Sequence, residues 1–157
     1  MIMSELIIVL DDLTDPRIAE FLEAHIADMR ATSPPESKHA LDLDGLRQPA
    51  ISFWTGWSDD ELVVCGALKQ LSHTHGEIKS MRTDATRRKA GFGRKMLEHI
   101  INEAHARQYQ RLSLETGSMA FFYPAHRLYR DYGFRECAPF ADYVLDDNSI
   151  FMTLELS

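Results

Sequence analysis

Cysteine is scarce, with only Cys65 and Cys137 in 157 residues. That excludes a disulfide scaffold, and neither cysteine belongs to a paired spacing of the kind that binds a metal. No apolar run approaches the roughly 18 residues that a membrane span needs. The start, Met-Ile-Met-Ser-Glu-Leu-Ile-Ile-Val-Leu-Asp-Asp, has no basic segment ahead of a long apolar one, so no secretory leader is expected. The resulting expectation is a cytoplasmic protein with no membrane partner. Basic residues are outnumbered, 17 Lys and Arg against 24 Asp and Glu, for a net charge of −7. A nucleic-acid binder presents a broad basic face, so no nucleic-acid partner is expected. Internal repeats and low-complexity linkers are missing as well. The length suits one domain, residues 1–157, burying roughly two-thirds of its unfolded surface.

The cations that are present are concentrated. Arg87-Arg88-Lys89-Ala90-Gly91-Phe92-Gly93-Arg94-Lys95 places five of them with two glycines at one helix entrance. Glycine lets a backbone approach a ligand closely, and the first N–H groups of a helix have no partner within it. Together with the helix dipole and the cations, these donors make a site for phosphate. Two familiar phosphate motifs fail on spacing. There is no Gly-x4-Gly-Lys-[Ser/Thr] string, and Met96 stands where a dinucleotide fingerprint needs a small residue.

Periodicity supplies the elements around this segment. Residues 6–10 read as a strand, followed by a helix from about Asp15 that repeats Ile18, Phe21, Leu22, Ile26 and Met29 at helical spacing. The prolines after Thr32 open a loop, and 39–46 read as a short helix ended by Gln48-Pro49. Runs 51–57 and 62–71 predict an antiparallel pair joined across Ser58-Asp59-Asp60, and 76–83 predict a further strand. Beyond the basic segment, Phe92, Met96, Leu97, Ile100, Ile101 and Ala104 share one helix face. A strand over 111–115 leads through Thr116-Gly117-Ser118 into a helix carrying Leu128 and Tyr129. Gly133 stops that helix, a strand starts at Phe134, and 150–156 form the last strand. The order β-α-α-β-β-β-α-β-α-β-β is that of a mixed α+β domain.

Arg88-x-x-Gly91-x-Gly93, directly after the strand Glu77-Ile78-Lys79-Ser80-Met81-Arg82-Thr83, resembles the [Arg/Gln]-x-x-Gly-x-[Gly/Ala] turn of the GNAT N-acetyltransferase superfamily. Ala125-His126-Arg127-Leu128-Tyr129-Arg130-Asp131-Tyr132-Gly133-Phe134 is similar to that family's Ala-x-x-Leu-Tyr-x-x-x-Gly-Phe segment. The two stand in the family's order, with the expected helix and strand between them. The resemblance implies a three-layer α/β/α arrangement of the α+β class. Its sheet would be twisted and mostly antiparallel, with about 6–7 strands, flanking helices and a V-shaped cofactor cleft. It implies acetyl-CoA as cosubstrate, with the pyrophosphate cradled at Arg88, Lys89, Ala90, Gly91, Phe92, Gly93 and Arg94. Met81, Arg82 and Thr83 would pair with the pantetheine arm as an added strand and supply a main-chain donor to the thioester carbonyl. The implied reaction moves an acetyl group directly to a primary amine of a small molecule or peptide within a ternary complex.

Tyr129 falls at the position where family members protonate the departing thiolate, and a phenol of ordinary pKa near ~10 carries its proton at neutral pH. Glu77 falls at the position of the base glutamate, Glu115 would face the same cleft, and a water relay is a third option. His73 and His75 lie at i, i+2 but lack a third ligand, so no metal is expected. Cys65 sits in an apolar strand that would raise its thiol pKa, which disfavours an acyl-cysteine route. Acceptor contacts are expected from the loop over 32–39, from Phe53-Trp54-Thr55-Gly56-Trp57, where at least one tryptophan should simply pack, and from Phe121-Phe122-Tyr123-Pro124. His126 neighbours the same site. The competing function is a CoA-binding module without catalysis, and a homodimer built on the last strand is a further expectation.

Overall fold

The computed structural model describes residues 5–32, 43–84 and 90–156, with side chains left out at 25–32. Its elements are β1 (Ile7–Leu10), α1 (Pro16–Thr32), α2 (Leu43–Leu46), β2 (Ile51–Ser58), β3 (Glu61–Gln70) and β4 (His75–Thr83). They continue with α3 (Phe92–Ala106), β5 (Arg111–Gly117), a 3-10 turn (Ala120–Phe122), α4 (Tyr123–Asp131), β6 (Arg135–Cys137) and β7 (Ser149–Glu155). The strands form one sheet in the order β1-β2-β3-β4-β5-β7-β6. Every neighbouring pair is antiparallel except β4 with β5. The α+β class and the predicted order of elements hold.

Local chemistry sets the boundaries. Asp15 begins α1 by accepting the Arg17 N–H at 2.9 Å, while Pro16 occupies the first helical position, where no donor is missed. The β2–β3 connection tightens to Asp59-Asp60, both at positive φ (51° and 64°), the geometry that suits a two-residue hairpin. β5 runs past the predicted end because Thr116 and Gly117 pair with Ile150 and Ser149. Phe134 stays out of β6 because its N–H donates to the Tyr129 carbonyl at the end of α4, at 3.1 Å. Residues 39–42 of the predicted second helix lie outside the described residues.

Two apolar layers sandwich the sheet. Phe92, Met96, Leu97, Ile100 and Ala104 of α3, with Tyr129 of α4, pack on Val64, Leu68, Ile78, Leu112, Leu114 and Met152. The opposite face packs Ile18 and Leu22 of α1 and Leu46 of α2 on Phe53, Cys65 and Ala67. Fully burying one such side chain contributes about 1.5–3 kcal/mol, so α3 is the best-anchored helix. Among the described residues no helix is long and apolar enough to cross a membrane.

Candidate active site

The parallel pair β4–β5 opens partway along its length. Its register runs from His75–Arg111 to Ile78–Leu114 and stops there, although β4 continues to Thr83 and β5 to Gly117. A bulge in β4 turns the strand away. Ala67 of β3 pairs with Lys79 and Cys65 with Arg82, so β4 carries the longer path, and Ser80 absorbs it at φ 55°. The Cys65 thiol donates to the Ser80 carbonyl at 3.1 Å, and burial pushes that thiol up to about 12. Cys65 is therefore a packed core residue.

A cavity of about 420 Å³ opens beside this parting. It brings together Met81, Arg82, Thr83, Gly91, Gly93 and Arg94 from the predicted cofactor set. Gly91 precedes α3 at φ 84°, and no side chain caps the helix. The first helical bond runs from the Lys95 N–H to the Gly91 carbonyl at 3.1 Å, so the preceding N–H groups have no partner within the helix. Ala90 is exposed at this entrance. Phe92 is buried, so its side chain anchors α3 and only its backbone can serve a ligand. The Arg94 guanidinium reaches Asp131 at 3.2 Å and lies 5.2 Å from the Tyr132 ring centroid. Tyr132 in turn donates to Glu98, which ties α4 to α3. Arg87, Arg88 and Lys89 lie outside the described residues.

The far wall was missing from the predicted cofactor set. Phe121, Phe122, Pro124, Ala125 and Leu128 line the same cavity, so this aromatic run faces the cleft shared with the glycine turn. The Phe122 ring rests on Gly117, where an added Cβ would lie 2.2 Å from it. His126 is 3% exposed and donates through Nε2 to the Gly117 carbonyl at 2.7 Å, pinning α4 to the end of β5. Two adjacent phenylalanines after a strand-end glycine were the available signal.

None of the three candidate catalytic side chains is among the described residues that line this cavity. Tyr129 is 6% exposed and packs on Phe134 with ring centroids 5.7 Å apart. Burial, and then the Glu115 charge, raise its phenol above the ordinary value of 10. Glu77 is 2% exposed, and its Oε2 accepts from Lys79 Nζ at 3.0 Å and from the Tyr143 hydroxyl at 2.6 Å. Tyr143 is raised as well, by burial first and then by the charges of Glu77 and Glu115. Glu115 thus lies within electrostatic reach of both phenols. Sequence reading missed Tyr143, which lies in an irregular connection, and Lys79, whose i, i+2 relation to Glu77 on a strand was the usable signal.

Other expectations divide. Trp54 packs in the core, edge-on to His99 at 5.2 Å, whereas Trp57 is half-buried beneath Arg17, 4.5 Å from its ring centroid. His75 is bonded to Ser113 at 2.7 Å, and no cluster of three or more possible metal ligands occurs among the described residues. Most of the loop over 32–39 lies outside the described residues.

A model of the acetyltransferase (GNAT) family matches residues 18–134. The uncharacterized N-acetyltransferase YsnE of Bacillus subtilis (strain 168) is 54% identical over 147 residues, 94% of this chain and 97% of that one. An IAA acetyltransferase of Azospirillum brasilense is 37% identical, covering 87% of this chain and 86% of its own. A putative acyl-CoA N-acyltransferase from Klebsiella pneumoniae superposes with a TM-score of 0.78 at 25% identity, covering 97% and 98% of the two chains. An acetyltransferase from Elizabethkingia anophelis, solved with acetyl-CoA bound, superposes at 0.68 with 18% identity, covering 96% and 98%.

Proposed function

The chain belongs to the acetyltransferase (GNAT) family, and we propose that it moves the acetyl group of acetyl-CoA directly to a primary amine of a small molecule or peptide. The observation that carries this reading is the meeting of a parted parallel strand pair with an uncapped helix N-terminus in one cavity. Acetyl-CoA would supply the activated acyl thioester. The N–H groups at the start of α3 and the glycine turn suit its pyrophosphate, and β4 at Met81–Thr83, past the end of its pairing with β5, suits its amide arm. The small-molecule side of the acceptor class draws support from the relative named IAA acetyltransferase.

In this reading each step of the transfer is assigned to one group. Glu77 takes a proton from the amine, whose nitrogen lone pair forms the new N–C bond. The C–S bond breaks and its electron pair goes to sulfur. Tyr129, kept protonated by burial and by Glu115, gives that sulfur its proton.

The test follows free-thiol release from acetyl-CoA over a broad amine panel, with Tyr129→Phe alongside. Turnover on at least one amine and a loss of about 10²-fold in Tyr129→Phe are expected. An unchanged rate in that variant removes Tyr129 from its role. Tight CoA binding with no turnover on any amine overturns catalysis and leaves a binding module.

A further inference from the structure

Lys79 and Tyr143 are not among the described residues that line the cavity, yet both are bonded to the candidate base. Lys79 follows Glu77 by two residues along β4, so strand alternation sends both side chains to the sheet face opposite Ile78. The ion pair is buried, with side chains 9% and 3% exposed. Lys79 Nζ also donates to the Tyr143 hydroxyl oxygen at 2.9 Å. An ammonium only donates, a carboxylate only accepts and a phenol has a single proton. The proton order is therefore fixed: Lys79 gives to Tyr143 and to Glu77, and Tyr143 gives its own proton to Glu77.

Tyr143 belongs to the connection between β6 and β7, and its ring is wedged at 5.1 Å from Phe140 and 5.5 Å from Phe151. These ring contacts flank the hydroxyl that bonds to Glu77. Two charge-assisted bonds therefore reach the Glu77 carboxylate. Both bonds fall on Oε2. Oε1 carries neither of these two bonds.

We propose that Tyr143 is a positioning residue for the base: with Lys79 it anchors Oε2 of Glu77 and presents Oε1 to the acceptor amine. This rests on Glu77 being the base in the reading above. Among the described residues, His75 on β4 interacts with Glu77 and with Arg111, and Glu115 on β5 acts on Tyr143.

Tyr143→Phe keeps the ring packing and deletes one hydroxyl, so it isolates the hydrogen bond. The expected result is unchanged acetyl-CoA affinity with the acid limb of the amine kcat/KM profile displaced upward by about one pH unit, a tenfold loss on that limb. A carboxyl-carbon NMR titration of Glu77 should move the same way, without needing turnover. Glu77→Gln identifies the limb by abolishing it. If Glu77→Gln abolishes the limb while Tyr143→Phe leaves both limb and titration in place, Tyr143 loses its role and the base reading stands. If the limb survives Glu77→Gln, the base reading falls and this inference with it. In the unsubstituted protein the Tyr143 hydroxyl proton should exchange slowly with water. Rapid exchange would overturn the bond independently of any variant.

Discussion

Gly91 and Gly93 stand two residues apart and do different things. Gly91 sits at φ 84°, and an added Cβ there would meet nothing within 4 Å. Its requirement is for backbone conformation alone, and a left-handed alanine costs about 1–2 kcal/mol. Gly93 has no such angle, but its Cβ would come 3.0 Å from Thr83 Oγ1, at the wall of the cavity. Gly91→Ala should therefore lower unfolding stability by about 1 kcal/mol, and Gly91→Asn by less, because asparagine tolerates that region. Urea unfolding of the two variants decides the matter, since equal losses would contradict a purely conformational cost. Gly91 could be read from the sequence because a glycine in a fixed spacing announces a backbone demand. Tyr143 could not, because a phenol in an irregular connection has no period. Its partner Glu77 is 66 residues distant, and only the folded β6–β7 connection brings them together.

Among the elements, α3 was the most legible and β4 the least. Of the predicted face, Phe92, Met96, Leu97, Ile100 and Ala104 are buried, and Ile101 is half-buried at its margin. β4 also read correctly as a strand, but its bulge left no trace, because serine carries no signature of the left-handed region. That bulge is what parts β4 from β5, so the cleft depends on one unremarkable residue. Ser80→Gly should be tolerated, since glycine takes φ 55° without strain. Ser80→Val should cost about 1–3 kcal/mol, because a β-branched side chain resists that angle. If β4 straightens to relieve it, acetyl-CoA affinity should fall as well. The two variants compared by thermal unfolding and by CoA titration check this, and equal behaviour of glycine and valine would refute the account of the bulge.

At the scale of the molecule, the sheet is apolar toward α3, while its other face carries a polar track along β4, β5 and β7. Thr153 donates to the Leu112 carbonyl at 3.1 Å, which uses its one proton. Ser113, 3.1 Å from Thr153 Oγ1, must then donate to it, and His75 Nε2 must donate to Ser113 at 2.7 Å. His75 can do this as the neutral ring, and burial lowers its pKa from the ordinary 6.5, helped by Arg111 and opposed by Glu77. His99 on α3 is lowered too, by burial against the opposing charge of Glu103. Both groups thus bind protons less readily in the folded protein than in the unfolded chain. As pH falls through 6.5 the unfolded chain takes up protons first, so their contribution is complete above that value. It is lost progressively between 6.5 and their lowered values and changes no further below them. Asp12 and Asp15, lowered from 3.8, act only in stronger acid. The urea midpoint should accordingly be level between about pH 7 and 8 and decline as pH falls below about 6.5. The double variant His75→Gln, His99→Gln should flatten that decline, and an equally steep loss in the double variant would assign the acid sensitivity to other groups.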